Sequence, residues 1–451
     1  MSGLLDWIGE RRASVQVRCE PVAWSKLSEW RLEEGRFVHR TGGFFQIAGL
    51  RAHARRGGAA VSAASEQPII LQPEIGILGF VVRRETRGSN GPEILLQAKA
   101  EPGNVMGVQI GPSVQATESN YRRKHGGLPT PYLELFLEKG RAPFLADSLQ
   151  SEQGTRFLGK YNRNATVDAT GLGLEPAGED WRWFPAADLF ASCDRGFLVN
   201  TDARSSLVCS SWEHLADSGT PFSRWRGTGE FGERLYESHA AQDEDSETPL
   251  ASVLLHLAEQ RQTHAFETSA LPLGALRSWT LDDERIVDVG EQQFEVRGYQ
   301  IAIPSREVVA WDQPLVHSLR EGTCALLCQM RRGVLHFLLR GSVEIGFREC
   351  VQYGPTLQAA GARDSALVES ELAASVAAAS ERVASLESDE GGRFHQSVVR
   401  YAIRELDERH EVAPRADTRW VTLAQIRALA ARKGVLSNEA RSAVSLLLRY
   451  L

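Results

Sequence analysis

The stretch LSEWRLEEGRFVHRTGGFFQIAGLRA, residues 27–52, has a counterpart later in the same chain, LRSWTLDDERIVDVGEQQFEVRGYQI at residues 276–301. Both stretches place a tryptophan at the same position, so that Trp30 aligns with Trp279. Self-similarity on this scale marks a structural unit that occurs more than once. The two stretches therefore predict a fold that is built twice.

Further matches follow in the same order along the chain. They pair EQPII (66–70) with DQPLV (312–316), GPSVQA (111–116) with GPTLQA (354–359), SEQGTRF (151–157) with SDEGGRF (388–394), and VNTDARSSL (199–207) with LSNEARSAV (436–444). The matches divide the chain into an N-terminal extension (1–19), a first copy (20–212), a connector (213–267) and a second copy (268–451). The connector contains AAQDEDSETP, whose acidic and polar composition predicts an exposed link.

Within each copy, apolar segments come before the helical patterns. In PEIGILGFVVRRETRGSNGPEILLQAKAEPG, residues 73–103, short runs rich in Val, Ile and Leu alternate with Gly and Pro, which is typical of half-buried strands. Asn200 or Thr201 can cap a following helix, DARSSLVCSSW, and residues 367–388 have helical apolar spacing. We therefore expect an α+β fold in which a mixed or antiparallel sheet followed by helices occurs twice.

The composition excludes several classes of protein. The net charge is −7, from 51 Lys and Arg against 58 Asp and Glu, and no basic cluster of the kind that binds nucleic acid is present. The six cysteines form no CxxC pair, which favours reduced thiols in a cytoplasmic protein. The chain opens with no charged leader and has no apolar run of about 20 residues, so we expect a soluble protein that does not enter the membrane.

Common metal and cofactor motifs are also missing. The sequence has no HExxH, no Cys/His ligand spacing, no P-loop and no GxGxxG after a strand. We therefore expect acid/base chemistry that uses neither a metal nor a cofactor.

Candidate acid/base residues lie on one predicted strand, residues 94–101. Side chains alternate along a strand, so polar and apolar residues would occupy opposite faces. The polar face would carry Gln97, Lys99 and Glu101, and the apolar face Leu96, Ala98 and Ala100. A solvated face of an antiparallel sheet is the alternative interpretation.

The second copy provides an internal comparison for this polar face. Its corresponding residues are Arg340, Ser342 and Glu344, so the glutamate is kept and the lysine is lost. After GPSVQA the first copy reads TESNYRRKHGG, whereas the second reads AGARDSALVES. The polar residues without counterparts are Asn120, Tyr121, Arg122 and His125. We infer that the first copy carries the chemistry and that the second copy is largely structural.

A further polar block of the first copy, LQSEQGTRFLGKYNRN, covers residues 149–164. Its amides can donate to and accept from sugar hydroxyls or a pyrimidine edge, and arginine suits a diphosphate. The second copy keeps Arg393 and Arg400 at the positions of Arg156 and Arg163. A structural ion pair is therefore the alternative interpretation for these two arginines.

Taken together, EQPIILQPEIGILG, QAKAEPGN, GPSVQATESNY and LQSEQGTRF with NRN resemble the nucleotide-diphosphate hexose 2,3-dehydratases of deoxysugar biosynthesis. The resemblance covers nearly the whole chain. It implies two tandem Nudix-like domains, but the magnesium-binding box of Nudix hydrolases is absent from the sequence, which argues against hydrolysis. The second copy departs from the family where its block reads QAAGARDS, and this puts a second nucleotide site in doubt.

The resemblance implies a carbon–oxygen lyase that acts on an NDP-4-keto-6-deoxyglucose of the thymidine-diphosphate type. The C4 ketone acidifies the C3 proton, a base removes that proton, and the C2 hydroxyl leaves from the enolate to give an NDP-3,4-diketo-2,6-dideoxyhexose. Glu101 or His125 is the predicted base, and Lys99 or Tyr121 the predicted donor to the enolate or the leaving group. The residues expected to hold the substrate are Gln97, Gln115, Thr117, Asn120, Arg122, Tyr132, Gln150, Gln153, Asn162 and Arg163.

Two other functions stay open at this point: a metal-dependent sugar-nucleotide pyrophosphohydrolase and a non-catalytic nucleotide-sugar binding protein. We further expect a homodimer, which is the commonest oligomer, and a downstream 3-ketoreductase that consumes the diketone.

Overall fold

A computed structural model describes residues 2–60, 64–84, 91–122, 126, 128–359 and 368–451. His125, one of the two predicted bases, lies outside the described residues. The helices are α1 (Ser2–Ser14), α2 (Glu118–Tyr121), α3 (Glu134–Leu137), α4 (Ala186–Phe190), α5 (Thr201–Cys209), α6 (Trp212–Leu215), α7 (Phe231–Ala240), α8 (Leu250–Thr263), α9 (Val368–Ala378), α10 (Leu423–Ala430) and α11 (Asn438–Ser445). Short 3₁₀ turns cover Trp24–Lys26, Ser223–Trp225, Leu273–Ala275 and Leu446–Tyr450.

The strands follow the same order in both copies. The first thirteen are β1 (Arg18–Val22), β2 (Trp30–Glu33), β3 (Arg36–His39), β4 (Gln46–Arg56), β5 (Ala59–Ala60), β6 (Ser65–Leu71), β7 (Gly76–Arg83), β8 (Glu93–Ala100), β9 (Val108–Gly111), β10 (Val114–Ala116), β11 (Phe144–Ser151), β12 (Tyr161–Asp168) and β13 (Trp181–Pro185). The others are β14 (His264–Leu271), β15 (Trp279–Leu281), β16 (Arg285–Asp288), β17 (Phe294–Ala302), β18 (Ala310–Ser318), β19 (Gly322–Arg331), β20 (Val334–Val343), β21 (Val351–Gly354), β22 (Leu357–Ala359), β23 (Ser380–Ser388), β24 (Val398–Leu406) and β25 (Thr418–Thr422).

Each copy forms a large sheet of seven strands with one topology. In the first copy the order is β11-β12-β7-β8-β13, with β10 beside β7 and β9 beside β8. In the second copy the order is β23-β24-β19-β20, with β21 and β25 beside β20 and β22 beside β19. One pair in each sheet is parallel, β12 with β7 and β24 with β19. The chain is therefore α+β, with mixed sheets in two repeated halves, as the sequence predicts.

Each copy also contributes to a small antiparallel sheet, and the copies exchange one strand there. Strand β1, which precedes the first copy's small sheet in the chain, pairs with β17 of the second copy. Strand β14, which precedes the second copy's small sheet, pairs with β4 of the first copy. Because of this exchange, neither small sheet is complete without residues from the other part of the chain.

Paired contacts link the two copies across their boundary. The indole nitrogen of Trp30 donates to the carbonyl of Asp312 at 2.9 Å, and the indole nitrogen of Trp279 donates to the carbonyl of Glu66 at 2.7 Å. The two aligned tryptophans, Trp30 and Trp279, thus each donate a hydrogen bond to the other copy. An apolar core shared by both small sheets brings the rings of Phe157 and Phe394 within 5.9 Å of each other.

The helices after each large sheet begin at capped residues. The side chain of Asn200 accepts from the backbone nitrogen of Ala203 at 2.8 Å, so Asn200 rather than Thr201 caps α5. Ser437 caps α11 in the same way, through the nitrogen of Ala440. Helices α5 and α11 lie against each other in the buried centre of the molecule.

The structure differs from the sequence prediction at the start of the second copy's last sheet strands. Residues 367–388 do not form one helix: α9 ends at Ala378, and β23 then pairs with β24, because the alternating pattern of SERVASLES matches a strand. The acidic stretch 240–249 is largely exposed, but α7 and α8 on either side of it pack on the second copy's large sheet.

No described helix is long and apolar enough to cross a membrane.

Candidate active site

A cavity of about 400 Å³ lies at the end of the first copy's large sheet where β7 and β12 begin and β8 ends. Cavities of this size hold small-molecule ligands in many proteins. One wall comes from β7, β8, β10 and β12 and from the start of α5. The opposite wall combines residues 29–45 of the first copy with residues 306–313 and 390–393 of the second. Both copies therefore build this one cavity.

Strand β8 and the residue directly after it supply the two central polar side chains of the cavity. Lys99 and Glu101 line it, while Leu96, Ala98 and Ala100 point into the apolar core on the opposite face of the sheet. The alternation predicted from the sequence is thus confirmed for these residues. Lys99 is 4% exposed and Glu101 is 3% exposed, which excludes the alternative of a solvated sheet face.

Gln115 holds these two side chains in place. Its carbonyl oxygen accepts from the Lys99 ammonium at 3.1 Å, and its side-chain nitrogen donates to Oε1 of Glu101 at 2.9 Å. Asn200, the cap of α5, donates to the Gln115 side-chain oxygen at 3.0 Å and so fixes the direction of the amide. Among the described residues, Oε2 of Glu101 is buried without a hydrogen-bond partner. That oxygen therefore keeps an unused capacity to accept a hydrogen bond.

Burial changes the acid/base properties of both groups. Burial first, and then the negative charge of Glu390, raise the pKa of Glu101 to about 7. Burial first, and then the positive charge of Arg306, lower the pKa of Lys99. A carboxyl group with a pKa near neutrality can both accept and return a proton at physiological pH.

A second buried carboxyl group, Asp202, lines the cavity at the first turn of α5. Its Oδ1 is buried without a partner among the described residues. Burial first, and then the nearby carboxylates of Glu152 and Glu390, raise the pKa of Asp202 well above its ordinary value. Sequence analysis missed this residue. The available signal was an acidic residue at the same place in both repeats, Asp202 and Glu439, directly after the helix cap.

Strand β12 and the loop before it supply three further lining residues. The amide of Asn162 donates to Oε1 of Glu152 at 2.6 Å and accepts from the nitrogen of Gly76 at 3.0 Å. Lys160 donates to the carbonyl of Glu74 at 2.5 Å, and burial lowers the pKa of Lys160 to about 8. Asn162 was among the predicted binding residues. Glu152 and Lys160 belong to the same polar block but were not selected.

The structure brings six of the predicted residues to the cavity and places the others elsewhere. Those that line it are Lys99, Glu101, Gln115, Thr117, Asn120 and Asn162. Those that do not are Gln97, Tyr121, Arg122, Tyr132, Gln150, Gln153 and Arg163.

Each of the residues placed outside the cavity has a physical reason for being there. On strand β12, alternation turns Arg163 away from the face of Asn162, and Arg163 pairs with Asp147 at 2.7 Å. The Tyr132 hydroxyl donates to the carbonyl of Glu175 at 2.8 Å. Four other residues also have partners outside the cavity. They are Arg122, which pairs with Glu118; Gln150, which donates to the Ala430 carbonyl; Gln153, which donates to Asp389; and Gln97, which pairs with Trp181 across two strands. Tyr121 packs against an apolar cluster that includes Ile77 and Leu95.

The second copy contributes residues that sequence analysis assigned to structure only. Arg393 donates to the Gln72 side-chain oxygen at 3.2 Å, and its guanidinium lies 4.2 Å from the centre of the Phe45 ring. Glu390, Arg306 and Trp311 also line the cavity. The strand exchange places this part of the second copy over the first copy's large sheet, and no local sequence pattern encodes that placement.

One part of the cavity wall is aromatic. The ring of Trp30 lies 4.6 Å from Phe45 and 5.6 Å from His39, and the ring of Phe44 lies 4.6 Å from His39. Aromatic faces of this kind can pack against a planar heterocycle. The cavity thus combines an aromatic wall with a buried acid/base group.

A family model described as NDP-hexose 2,3-dehydratase matches residues 1–210 and 250–447. The chain belongs to this family. Its resemblance to these dehydratases, first seen in separate blocks, therefore extends over nearly the whole sequence.

Three curated relatives of this dehydratase-family chain carry the name dTDP-4-dehydro-6-deoxy-alpha-D-glucopyranose 2,3-dehydratase. The protein from Saccharopolyspora spinosa is 32% identical, over 97% of this chain and 89% of its own length. The protein from Streptomyces violaceoruber is 33% identical, over 98% and 95%. The protein from Amycolatopsis orientalis is 30% identical, over 97% and 88%.

Carboxylates and cations both line the cavity of this family member, and only some of the cations are paired. Two lining cations are neutralised by carboxylates: Arg40 pairs with Glu29 at 3.0 Å and Arg306 with Glu307 at 3.1 Å. Within the described part of the chain, the other three lining cations, Lys99, Lys160 and Arg393, have no carboxylate within ion-pair distance. Described His, Cys, Asp and Glu residues form no group of three that could hold a metal ion.

Proposed function

We propose that the chain removes water from a thymidine-diphosphate 4-keto-6-deoxyglucose to give the corresponding 3,4-diketo-2,6-dideoxy sugar nucleotide. The relatives' names supply the substrate class, and membership of the dehydratase family supports a carbon–oxygen lyase. The observation that carries the proposal is the buried pair Lys99 and Glu101, held side by side by Gln115 in a ligand-sized cavity.

Glu101 is the proposed base. Its Oε2 has no described partner, and its pKa near 7 makes it a stronger base than an ordinary carboxylate while leaving it ionised in part at neutral pH. It takes the proton from C3 of the sugar, and the electrons of the C3–H bond form the C3–C4 double bond of an enolate. His125, the other predicted base, has no part in this proposal.

Lys99 is the proposed donor to the enolate oxygen. One of its N–H groups is engaged by the Gln115 carbonyl, which directs the amino group into the cavity. In a buried site, a preorganised donor of this kind stabilises developing negative charge more strongly than water does. Tyr121, the other predicted donor, does not line the cavity.

Asp202 is the proposed acid for the leaving group. Its raised pKa favours the protonated form of the carboxyl group, which can give its proton to the C2 hydroxyl as water departs. The enolate electrons then form the C2–C3 double bond and restore the C4 carbonyl as the C2–O bond breaks. The resulting enol takes up a solvent proton at C2 and becomes the diketone.

The rest of the cavity suits the other parts of the substrate. We assign the base of the nucleotide to the aromatic wall of Trp30, Phe44 and Phe45, and the diphosphate to Arg393. Amide and hydroxyl groups of the predicted binding set are assigned to the sugar and ribose: Gln115, Thr117, Asn120 and Asn162.

The test is to mix the purified, chelator-treated protein with the 4-keto sugar nucleotide in deuterium oxide and to follow the mixture by mass spectrometry and NMR. Loss of water with deuterium at C2, or breakdown products of the diketone, is the expected result. Magnesium-dependent release of a sugar phosphate would instead identify a pyrophosphohydrolase. Tight binding without any product would identify a binding protein.

We also propose that each copy is a Nudix-like domain. The family resemblance supports this assignment, as does the repeated mixed sheet followed by a central helix, α5 or α11. An experimental structure that superimposes each copy separately on Nudix domains would test it.

The remaining expectations concern the protein's surroundings. A homodimer, a cytoplasmic location and a downstream 3-ketoreductase stay predictions. The reactive diketone formed in the proposed reaction supports the need for a reductase. Size-exclusion chromatography with light scattering would measure the oligomeric state, and a coupled assay with a candidate reductase would show whether it consumes the product.

A further inference from the structure

We propose that Glu390, a residue of the second copy, is a positioning residue for the reaction: its negative charge strengthens Glu101 as a base. The inference rests on the proposed function. It assigns to the second copy a part in catalysis in addition to its part in the cavity wall.

The two carboxylates are held close together by a glycine loop. Glu390 lines the cavity, and its Oε1 accepts from the nitrogen of Gly392 at 3.0 Å. A Cβ atom added to Gly392 would meet Oε1 of Glu390 and would lie 3.7 Å from Oε1 of Glu101. The space beside Gly392 is thus shared by both carboxylate groups. A larger residue there would disturb their arrangement.

The backbone around Glu101 is fixed to the same loop. The nitrogen of Gly103 donates to the carbonyl of Gly391 at 2.8 Å, and the carbonyl of Gly103 accepts from the nitrogen of Gln396 at 2.8 Å. A Cβ atom on Gly103 would overlap the carbonyl oxygen of Phe394, so only glycine permits this close approach. This backbone contact therefore brings the chain segments that carry Glu101 and Glu390 together.

The repeat shows that this placement of charge is specific to the working cavity. The loop of the first copy docks in the same way on the second copy, where the nitrogen of Gly346 donates to the carbonyl of Gly154 at 2.8 Å. There the residue aligned with Glu390 is Gln153, which is uncharged and donates to Asp389 at 3.0 Å. One scaffold thus places a carboxylate beside Glu101 and an amide beside the corresponding pocket.

Several charged groups face Glu101 and must be weighed together. They are Lys99 on β8, Asp202 on α5, Arg306 in the loop before β18, and Glu390 and Arg393 in the loop after β23. The three cations favour the ionised form of Glu101, whereas Glu390 opposes it and is the largest contribution after burial. Removal of the Glu390 charge leaves the cations in place, so Glu101 should become a weaker base.

The experiment compares the pH dependence of kcat/KM for the full-length wild type, Glu390→Gln and Glu390→Asp. For Glu390→Gln we expect the acid limb of the kcat/KM profile to move down by roughly one pH unit, because a weaker base is ionised at lower pH. The plateau of kcat/KM should fall several-fold, because a weaker base removes the proton more slowly. Glu390→Asp keeps the negative charge, so the acid limb of its kcat/KM profile should stay close to the wild-type position. The matched control is Glu267→Gln, which removes the charge of an exposed carboxylate paired with Arg55.

An acid limb that stays in place in Glu390→Gln would overturn the inference, even if the plateau falls. A second measurement does not depend on turnover: the Glu101 carboxyl group is titrated by carbon-13 NMR and assigned by its loss in Glu101→Gln. In that titration Glu390→Gln should lower the pKa of Glu101, and an unchanged pKa would overturn the inference. A wild type without turnover would contradict the proposed function alone, since the titration would still decide the role of Glu390.

Discussion

The cavity of the first copy and the corresponding pocket of the second copy are built on one set of contacts. In the first, Gln115 donates to Glu101 at 2.9 Å, and in the second, Gln358 donates to Glu344 at 3.2 Å. In both, one carboxylate oxygen is buried without a described partner. The amide and carboxylate pair therefore belongs to the shared scaffold and does not by itself distinguish a working site.

The difference between the two lies in volume and in cations. The first cavity has about 400 Å³ and the second about 50 Å³. Val399 and Tyr401 occupy the second copy's positions for Asn162 and Asn164, and Ser342 takes the place of Lys99. The scaffold thus keeps its carboxylate without the lysine, which supports the role in binding or chemistry that we propose for Lys99.

The largest difference between the two copies is expected when the carboxylates of Glu101 and Glu344 are removed in turn. Glu101→Gln should lower kcat by about 10²–10⁴-fold, the usual contribution of a general base, while the affinity for an unreactive sugar nucleotide stays within a few fold. The matched variant Glu344→Gln should keep its turnover. Rates come from NMR of the product and affinities from calorimetry. A comparable loss in Glu344→Gln would show that the second pocket takes part in the reaction.

A smaller effect is expected for the aligned arginines, Arg393 and Arg156. Each lies over a phenylalanine of the apolar core that the small sheets share, at 4.2 Å from Phe45 and 4.0 Å from Phe294. Loss of a hydrogen bond to a charged group costs about 1.5–3 kcal/mol, so Arg393→Ala should raise KM roughly 10- to 100-fold with little change in kcat. Arg156→Ala removes the same packing but should leave KM near the wild-type value. Equal changes in KM would show that packing, rather than diphosphate binding, explains the Arg393 effect.

The smallest effect concerns stability and should be alike in the two copies. Burial raises the pKa of Glu101 from 4.5 to about 7 and that of Glu344 well above 4.5, so the folded state binds these protons more tightly than the unfolded state does. Stability should therefore fall as pH rises from about 4.5 through 7. Glu101→Gln and Glu344→Gln should each raise Tm by about 1–3 °C at pH 8.5 relative to the wild type, with a smaller gain at pH 5. Calorimetry at both pH values would measure this, and a lower Tm in either variant at pH 8.5 would contradict it.

Much of the fold follows from patterns that are local in the sequence. The period-2 alternation of residues 94–101 correctly places Lys99 and Glu101 opposite the apolar core, because strand geometry fixes which side chains share a face. The cap of α5 at Asn200 is equally local. The same alternation separates Asn162 from Arg163, but the choice between the two faces depends on which one meets the cavity, and the sequence does not show that.

The sequence by itself determined the duplication, the α+β class, the membership of the dehydratase family and the part of the first copy that holds the polar pair. Tertiary structure alone decided that Arg306, Glu390 and Arg393 complete the cavity and that Asp202 faces it. The physical reason is the exchange of β1 and β14, with the docking of each loop on the other copy. Contacts between residues nearly 300 positions apart in the chain depend on how the two copies pack, and no pattern within either copy encodes that packing.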